Sequence, residues 1–517
     1  MKKAKIRGPV SRPGPEVSAA APVPVQPLGV PEPQAAAVAP EPEVTAILPE
    51  PELEPDLVLM VSEPQAVVVA TVEESVSEAL PPVPSPVAFV PGEASQADPA
   101  LRILVISHSH PEISKGGAEI AAFQLHRGFA ARENCVSWFM GCDRRRTRSE
   151  IPISQPFGID DYLYSVGEFD WFKFSNQDPR LPDALTNVLL DLRPDIVHFH
   201  HYINVGVEAL AIVKRALPNA KVVVTLHEYL AICNHHGQMV TNPHRNLCYE
   251  ANPQRCIECF QHLDESDFFL RKRYIEHFFA FADHFVSPSQ FLADRYIAWG
   301  MAEDRISVIE NLVNAPLSRG PIRPIGTAGT LRAGFFGQLS FLKGANVLFD
   351  AADLLDKEER FDISLEIFGD YRSQPLEFQK ELQERMEKLG QNVTLHGPYD
   401  QSRVDMLMQS VDLVIVPSVW WENSPLVIQE ARRNGRPVIS SDIGGMAEKV
   451  RDGIDGFHFH VGSAMALAML LKKIAENRTL LTDLAATIRK VQTADAIVDA
   501  HLSLYENLRT PVPEIVF

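Results

Sequence analysis

The chain has 517 residues, enough for two or three domains with full hydrophobic cores. A formal net charge of −19 argues against nonspecific nucleic-acid binding, and six cysteines do not make a disulfide scaffold. No run of 18 apolar residues occurs, so no transmembrane helix is expected, and a cytoplasmic enzyme is the simplest class.

The first hundred residues differ from the rest: they hold 20 of the 40 prolines, and fourteen acids against five bases give them −9 of the charge. Prolines such as Pro22, Pro24, Pro27, Pro31 and Pro33 forbid helix and remove backbone donors. Residues 1–98 therefore read as a disordered or polyproline-II Pro/Ala/Glu-rich tail, serving as a spacer, a docking arm for a protein partner, or a solubilising segment. The basic start Met1-Lys2-Lys3-Ala4-Lys5 has no apolar stretch behind it, so a secretory signal is not expected.

Order is predicted from Leu101-Arg102-Ile103-Leu104-Val105-Ile106-Ser107, a strand-like run. A glycine pair, Gly116-Gly117, follows and opens a helix carrying Ile120, Phe123, Leu125 and Phe129. Further strands read at 196–199, 222–226, 284–286 and 307–309, with helices near 181–192 and 207–216. Residues 318–330, rich in Pro, Gly and Arg, read as a linker between a first domain at 101–317 and a second at 331–493. The second series has strands at 332–336, 364–368, 393–395, 413–416 and 437–440, and helices at 345–355 and 378–389; a terminal helix near 494–508 lies within the last segment, 494–517. Strand–helix alternation of this kind predicts an α/β protein of two Rossmann-like domains, each a parallel sheet covered on both faces, with a ligand cleft between them.

Several groups carry chemistry. Gly116-Gly117 lets a backbone approach a ligand and starts a helix whose amides face anions, although such a pair is also an ordinary turn, and it is no dinucleotide fingerprint. Phe336-Gly337-Gln338-Leu339-Ser340-Phe341-Leu342-Lys343-Gly344 ends a strand with a glycine and places Lys343 near a helix start, as a diphosphate site or a solvated lysine. Glu422 and Glu430 stand eight positions apart across the turn Asn423-Ser424-Pro425 and the helix start Leu426-Val427. The strand 411–418 lies upstream, so this turn falls at a strand's carboxyl end, where open α/β sheets bind ligands. His227 ends another strand, either facing the cleft or hydrogen-bonded in place. His198, His200 and His201 form a second cluster whose spacing fits no standard metal set. Cys233, Cys248, Cys256 and Cys259, the last two a Cys-x-x-Cys clip, suit either a structural tetrathiolate zinc or free thiols. The stretch 267–275 joins aromatic and basic residues, as a core-packing helix with a charged face or as a contact with a membrane surface.

Taken in order, these pieces resemble the family 4 glycosyltransferases, retaining enzymes of the GT-B fold. The matching stretches are Gly-Gly-Ala-Glu at 116–119, Pro-Asp-Ile-Val-His at 194–198, Thr-Leu-His-Glu at 225–228, Val-Ser-Pro-Ser at 286–289 and Val-Ile-Glu-Asn-Leu-Val at 308–313. Phe-Gly-Gln-Leu with Lys-Gly at 336–344, the Glu422/Glu430 pair, Gly-Arg-Pro-Val-Ile at 435–439 and Ile-Gly-Gly-Met-Ala-Glu at 443–448 complete the series with 452–457. The resemblance implies a nucleotide-sugar donor, linked through UDP or GDP, and a glycan or lipid-linked acceptor in polysaccharide or glycoconjugate synthesis, with no metal or other cofactor needed for transfer. It implies that Lys343 binds the donor diphosphate, Glu422 lies by the sugar, Asn423 through Val427 present backbone groups, Glu430 holds the ribose, Gly117 nears the phosphate and His227 touches the transferred sugar. Gln338 stands where many members carry an arginine. The terminal helix would cross back to the first domain, and the enzyme would work in the cytoplasm or at the inner membrane face. A nucleotide-sugar epimerase of the same fold and a noncatalytic scaffold are the alternatives.

Overall fold

The computed structural model describes residues 100–510 apart from 115, 145–150, 313–323, 327, 361, 390 and 391. The readings of 1–98 as a tail and of much of 318–330 as a linker lie outside these residues.

The first half is built on strands β1 (Leu101–Ile106), β2 (Cys135–Asp143), β3 (Ile153–Gly158) and β4 (Asp161–Ser165). A small ribbon, β5 (Phe169–Asp170) and β6 (Ser175–Asn176), precedes β7 (Ile196–Phe199), β8 (Lys221–Thr225), β9 (His284–Ser287) and β10 (Ile306–Val308). Eight of these form one sheet in the order β10-β9-β8-β7-β1-β2-β4-β3. All pairings in it are parallel except β3 with β4. Alternation along β1 explains why the run is apolar throughout: Leu104 and Ile106 enter one core, Ile103 and Val105 the core on the opposite face.

The second half holds β11 (Leu331–Phe336), β12 (Ile363–Phe368), β13 (Val393–Gly397), β14 (Leu413–Val416), β15 (Val438–Ser441) and β16 (Gly456–Phe459). They make a fully parallel six-stranded sheet in the order β13-β12-β11-β14-β15-β16. Leu413 and Ile415 serve one core, Val414 and Val416 the other. In each sheet the strand order reverses beside the first strand, between β1 and β7 and between β11 and β14. The crevices outside those carboxyl ends are the binding positions of doubly wound sheets.

The helix Ala494–Arg509 packs on the first half. Ile497, Val498 and Tyr505 complete the core around Ile103, Val105 and Phe129. Arg132 pairs with Asp495 at 3.0 Å and Asp499 at 2.8 Å, and His198 Nδ1 lies 2.6 Å from the Tyr505 hydroxyl. Helix Glu265–Phe279 packs Phe268, Arg271, Ile275 and Phe279 on the core and exposes Phe269 and Leu270. Among the described residues no helix is long and apolar enough to cross a membrane.

Candidate active site

The loop after β11 is pressed against the end of β14. Gly344 has φ 75°, and a Cβ there would stand 1.9 Å from the Pro417 carbonyl oxygen, so only glycine fits before helix Ala345–Lys357. This approach carries Lys343 to Glu422: Nζ lies 2.6 Å from Oε1. Ser418 Oγ at 2.8 Å and Trp420 Nε1 at 3.1 Å donate to the same oxygen. Glu422 is 5% exposed, so three donors fix the orientation of a carboxylate that has lost most of its water.

The residues that follow join the two halves. Glu422 O accepts from Gly445 N at 2.7 Å, and a Cβ on Gly445 would lie 1.6 Å from Asn423 O, so this second glycine permits the contact. Asn423 Nδ2 donates to His227 O at 2.8 Å, while Ser289 Oγ donates to Asn423 Oδ1 at 2.8 Å. Glu448 accepts from the amides of Gln290 and Phe291 at 3.1 and 2.7 Å, capping a first-half helix from the second half. Ser424 is buried, and its Oγ has no partner among the described residues. Pro425 leads into helix Leu426–Arg433, whose first-turn amides, at Leu426 and Val427, lack intrahelical acceptors. Gly117, at the start of helix Gly117–Ala130 behind its N-cap Gly116, faces this turn: a Cβ on it would lie 3.5 Å from Leu426 Cδ1. Two helix N-termini from different halves therefore converge here.

Glu430 points into a separate corner. Its Oε1 accepts from Gln401 Nε2, and burial raises its carboxyl above the usual range despite that bond and the nearby Arg433. Burial and the Glu430 charge together raise the Tyr399 hydroxyl beside it. Gln338 is exposed, and its Nε2 donates to Ser373 Oγ at 2.7 Å.

On the first half, histidines form a linked set. His227 Nε2 and His200 Nδ1 are 3.1 Å apart, and His198 Nε2 meets Thr225 Oγ1 at 2.7 Å. His201 Nε2 lies 3.2 Å from Glu228, and His108 Nε2 lies 3.2 Å from Glu119. Burial first, then His201 and His108, lower His227 to about 3, so its ring is neutral near pH 7. Burial also drives His198 and His200 well below their ordinary value. For Glu119 burial works upward, but His108 and Ser114 outweigh it and hold the carboxyl at about 2. The His198–His201 cluster is thus spent on separate partners. Among the described residues no group of three His, Cys, Asp or Glu side chains is arranged around a metal position.

Cys233, Cys248, Cys256 and Cys259 are free and partly buried, and their side chains are not arranged around a metal position. Gln401 is a site residue that the sequence did not mark, because it lies 29 positions from Glu430; Ser418 and Trp420 flank the marked turn, and His200, Ser289 and Glu448 stood in marked stretches without these partners.

Two opposed doubly wound halves, with a lysine–carboxylate pair at the strand ends of one and a histidine set at those of the other, define a protein of the GT-B class. Family models agree: "Glycosyltransferase Family 4" matches residues 115–315 and "Glycosyl transferases group 1" matches 328–491. The chain belongs to the family 4 glycosyltransferases. A D-inositol 3-phosphate glycosyltransferase of Mycolicibacterium gilvum is 27% identical over 59% of this chain and 65% of its own length. One of the same name from Nocardia farcinica is 34% identical over 24% of this chain and 28% of its own. The first such relatives are matched over a third of their length or less. Anabaena HepE, solved with UDP and glucose, shares the fold at a TM-score of 0.52 and 19% identity, over 79% of this chain and 98% of its own.

Proposed function

We propose that the protein transfers a sugar, with retention of configuration, from a nucleotide-sugar donor to a glycan or lipid-linked acceptor. The observation that carries this reading is the Lys343–Glu422 pair at 2.6 Å, set at a strand-order reversal and beside converging helix N-termini. Departure of a nucleoside diphosphate puts negative charge on oxygen. A lysine and free first-turn amides stabilise that charge best when they are already in place. Gln338 is neutral and engaged with Ser373, so Lys343 supplies the cationic share of this work. The sugar develops positive charge, and the buried Glu422 carboxylate is suited to stabilise it. His227, neutral and oriented by His200, offers the sugar a hydrogen bond rather than a charge. Glu430 in its buried corner suits ribose hydroxyls, which donate to a carboxylate. Relatives named D-inositol 3-phosphate glycosyltransferase support glycosyl transfer, and a neighbour solved with UDP and glucose supports the donor class.

A thermal-shift screen of UDP- and GDP-sugars, followed by transfer assays on the stabilising donor, tests the proposal. Donor-dependent glycosylation that Glu422→Gln slows by about 10²–10³-fold is the expected result. Epimerisation without acceptor, or no donor binding at all, would replace it with the epimerase or scaffold reading.

A further inference from the structure

The second-half loop after β11 is short of positive charge for the anion it would receive. Lys343 is the one cation between Gly337 and Gly344, and Glu422 at 2.6 Å offsets it. A sugar-linked diphosphate carries more than one negative charge and gains another as it departs. Cations fixed beside it stabilise both states.

The first half reaches this loop with a hairpin. Val240 and Leu247 form an antiparallel bridge, Thr241 N donates to Asn246 O at 2.8 Å, and Arg245 N donates to Thr241 O at 2.8 Å. Asn242 ties the tip to helix Pro253–Cys259, its N and Nδ2 donating to Cys259 Sγ and O, each at 3.4 Å. Just beyond the hairpin, Cys248 O accepts from Trp421 Nε1 at 3.0 Å, and Tyr249 packs edge-on against the Trp421 ring at 5.1 Å. At the tip, the Arg245 guanidinium carbon sits 4.5 Å from the centre of the Phe341 ring. One first-half segment therefore touches residues 341 and 421, the near neighbours in the chain of Lys343 and Glu422.

Arg245 is an unusual residue to find there as mere surface. Its φ of 57° is a left-handed conformation that a long side chain adopts only at a cost. It is exposed, and among the described residues no carboxylate pairs with it. Phe341 is fixed beneath it: Phe341 O accepts from Gly344 N, and Leu342 O from Val419 N, both at 2.9 Å. A guanidinium resting on a ring face keeps its edge of N–H donors open to an anion.

We propose that Arg245 is a second cation of the donor site, brought from the first half to bind the diphosphate together with Lys343. The inference rests on the nucleotide-sugar reading and adds that the hairpin 240–247 completes the site. Phe341 holds the guanidinium beside the loop, and the planar fork suits two phosphate oxygens at once. A bound diphosphate then bridges Arg245 of the first half and Lys343 of the second.

Calorimetric binding of UDP and GDP to full-length wild type, Arg245→Asn and Arg245→Lys, each at low and high salt, tests this. Asparagine accepts the left-handed backbone and removes the charge, whereas lysine keeps the charge without the fork. Arg245→Asn is expected to bind the preferred nucleotide about 10-fold more weakly than wild type at low salt and to lose part of the salt dependence. Arg245→Lys is expected to recover part of both. Melting temperatures of the unliganded variants are expected to match wild type, because the side chain is exposed. Arg245→Asn binding as tightly as wild type, with the same salt dependence, would overturn this inference and leave the nucleotide-sugar reading standing. Wild type that binds neither nucleotide would remove that reading and the inference with it.

Discussion

The two sides of the cleft solve different electrostatic problems. On the second half, opposite charges are placed in contact: Lys343 meets Glu422 at 2.6 Å, and Ser418 and Trp420 hold the same carboxylate oxygen. On the first half, the strand-end histidines are kept neutral: His227 stands at about 3, and its neighbour His200 is lowered by burial. A site that stabilises a departing diphosphate needs charge on the phosphate side. A site that positions a neutral sugar needs hydrogen bonds without charge. The asymmetry follows from local structure. A loop pinned by Gly344 leaves Lys343 partly exposed for an anion, whereas strand-end histidines packed against the terminal helix are desolvated.

Breaking the charged side should have the largest effect. Lys343→Ala or Glu422→Gln is expected to lower kcat for transfer by about 10²–10³-fold, the range for losing one preorganised electrostatic group. Steady-state rates with the donor found by thermal shift check this. On the neutral side, His227→Ala is expected to lower kcat/KM by roughly 10–100-fold, as for one buried hydrogen bond. His200→Ala should lower it less, because His200 acts by orienting His227. Equal losses for His200→Ala and Lys343→Ala would erase the contrast between the sides.

Glu430 gives a smaller and more diagnostic effect. Its folded carboxyl is raised by burial, so above that value its charge opposes folding. Glu430→Gln should raise Tm of the unliganded protein at neutral pH while weakening donor binding by about 10-fold, one hydrogen-bonded charge. Calorimetric titration and a melting curve on one sample read both. A separate effect, on stability, concerns pH. His126 and His501 stand at about 4 and His227 at about 3 in the fold, against an ordinary value of 6.5. Between these values the unfolded chain binds more protons. Stability contributed by these neutral rings is therefore complete above about 6.5 and lost as pH falls toward 4 and below. Urea midpoints across that window check the sign.

Buried parallel strands were the most legible part of the sequence. Residues 196–199 and 413–416 are mostly apolar, buried runs and fall on β7 and β14 without shift. Strands β2, β3, β4 and β16 escaped such a reading. Within β2, Ser137 and Gly141 interrupt the apolar run; β3 is a mostly exposed edge carrying Pro156; β16 has only four residues and opens on Gly456. Lys343, Glu422, Gly117 and Leu426 could be picked out because strand-end turns and helix starts leave local marks. Their supports could not: the pairing of His200 with His227, or of Gln401 with Glu430, exists only once strands and loops distant in sequence lie side by side. Residues 198–201 read as one cluster because they are adjacent in sequence, yet their side chains take separate partners.

The central claim is that Lys343 holds the donor diphosphate while Glu422 serves the sugar. Calorimetric binding of UDP and GDP, which lack the sugar, to wild type, Lys343→Ala and Glu422→Gln tests it directly. Lys343→Ala is expected to bind at least about 10-fold more weakly, as for the loss of a charge-assisted contact, and Glu422→Gln, which frees the lysine, to bind equally or more tightly. Lys343→Ala binding the preferred nucleotide as tightly as wild type would contradict it.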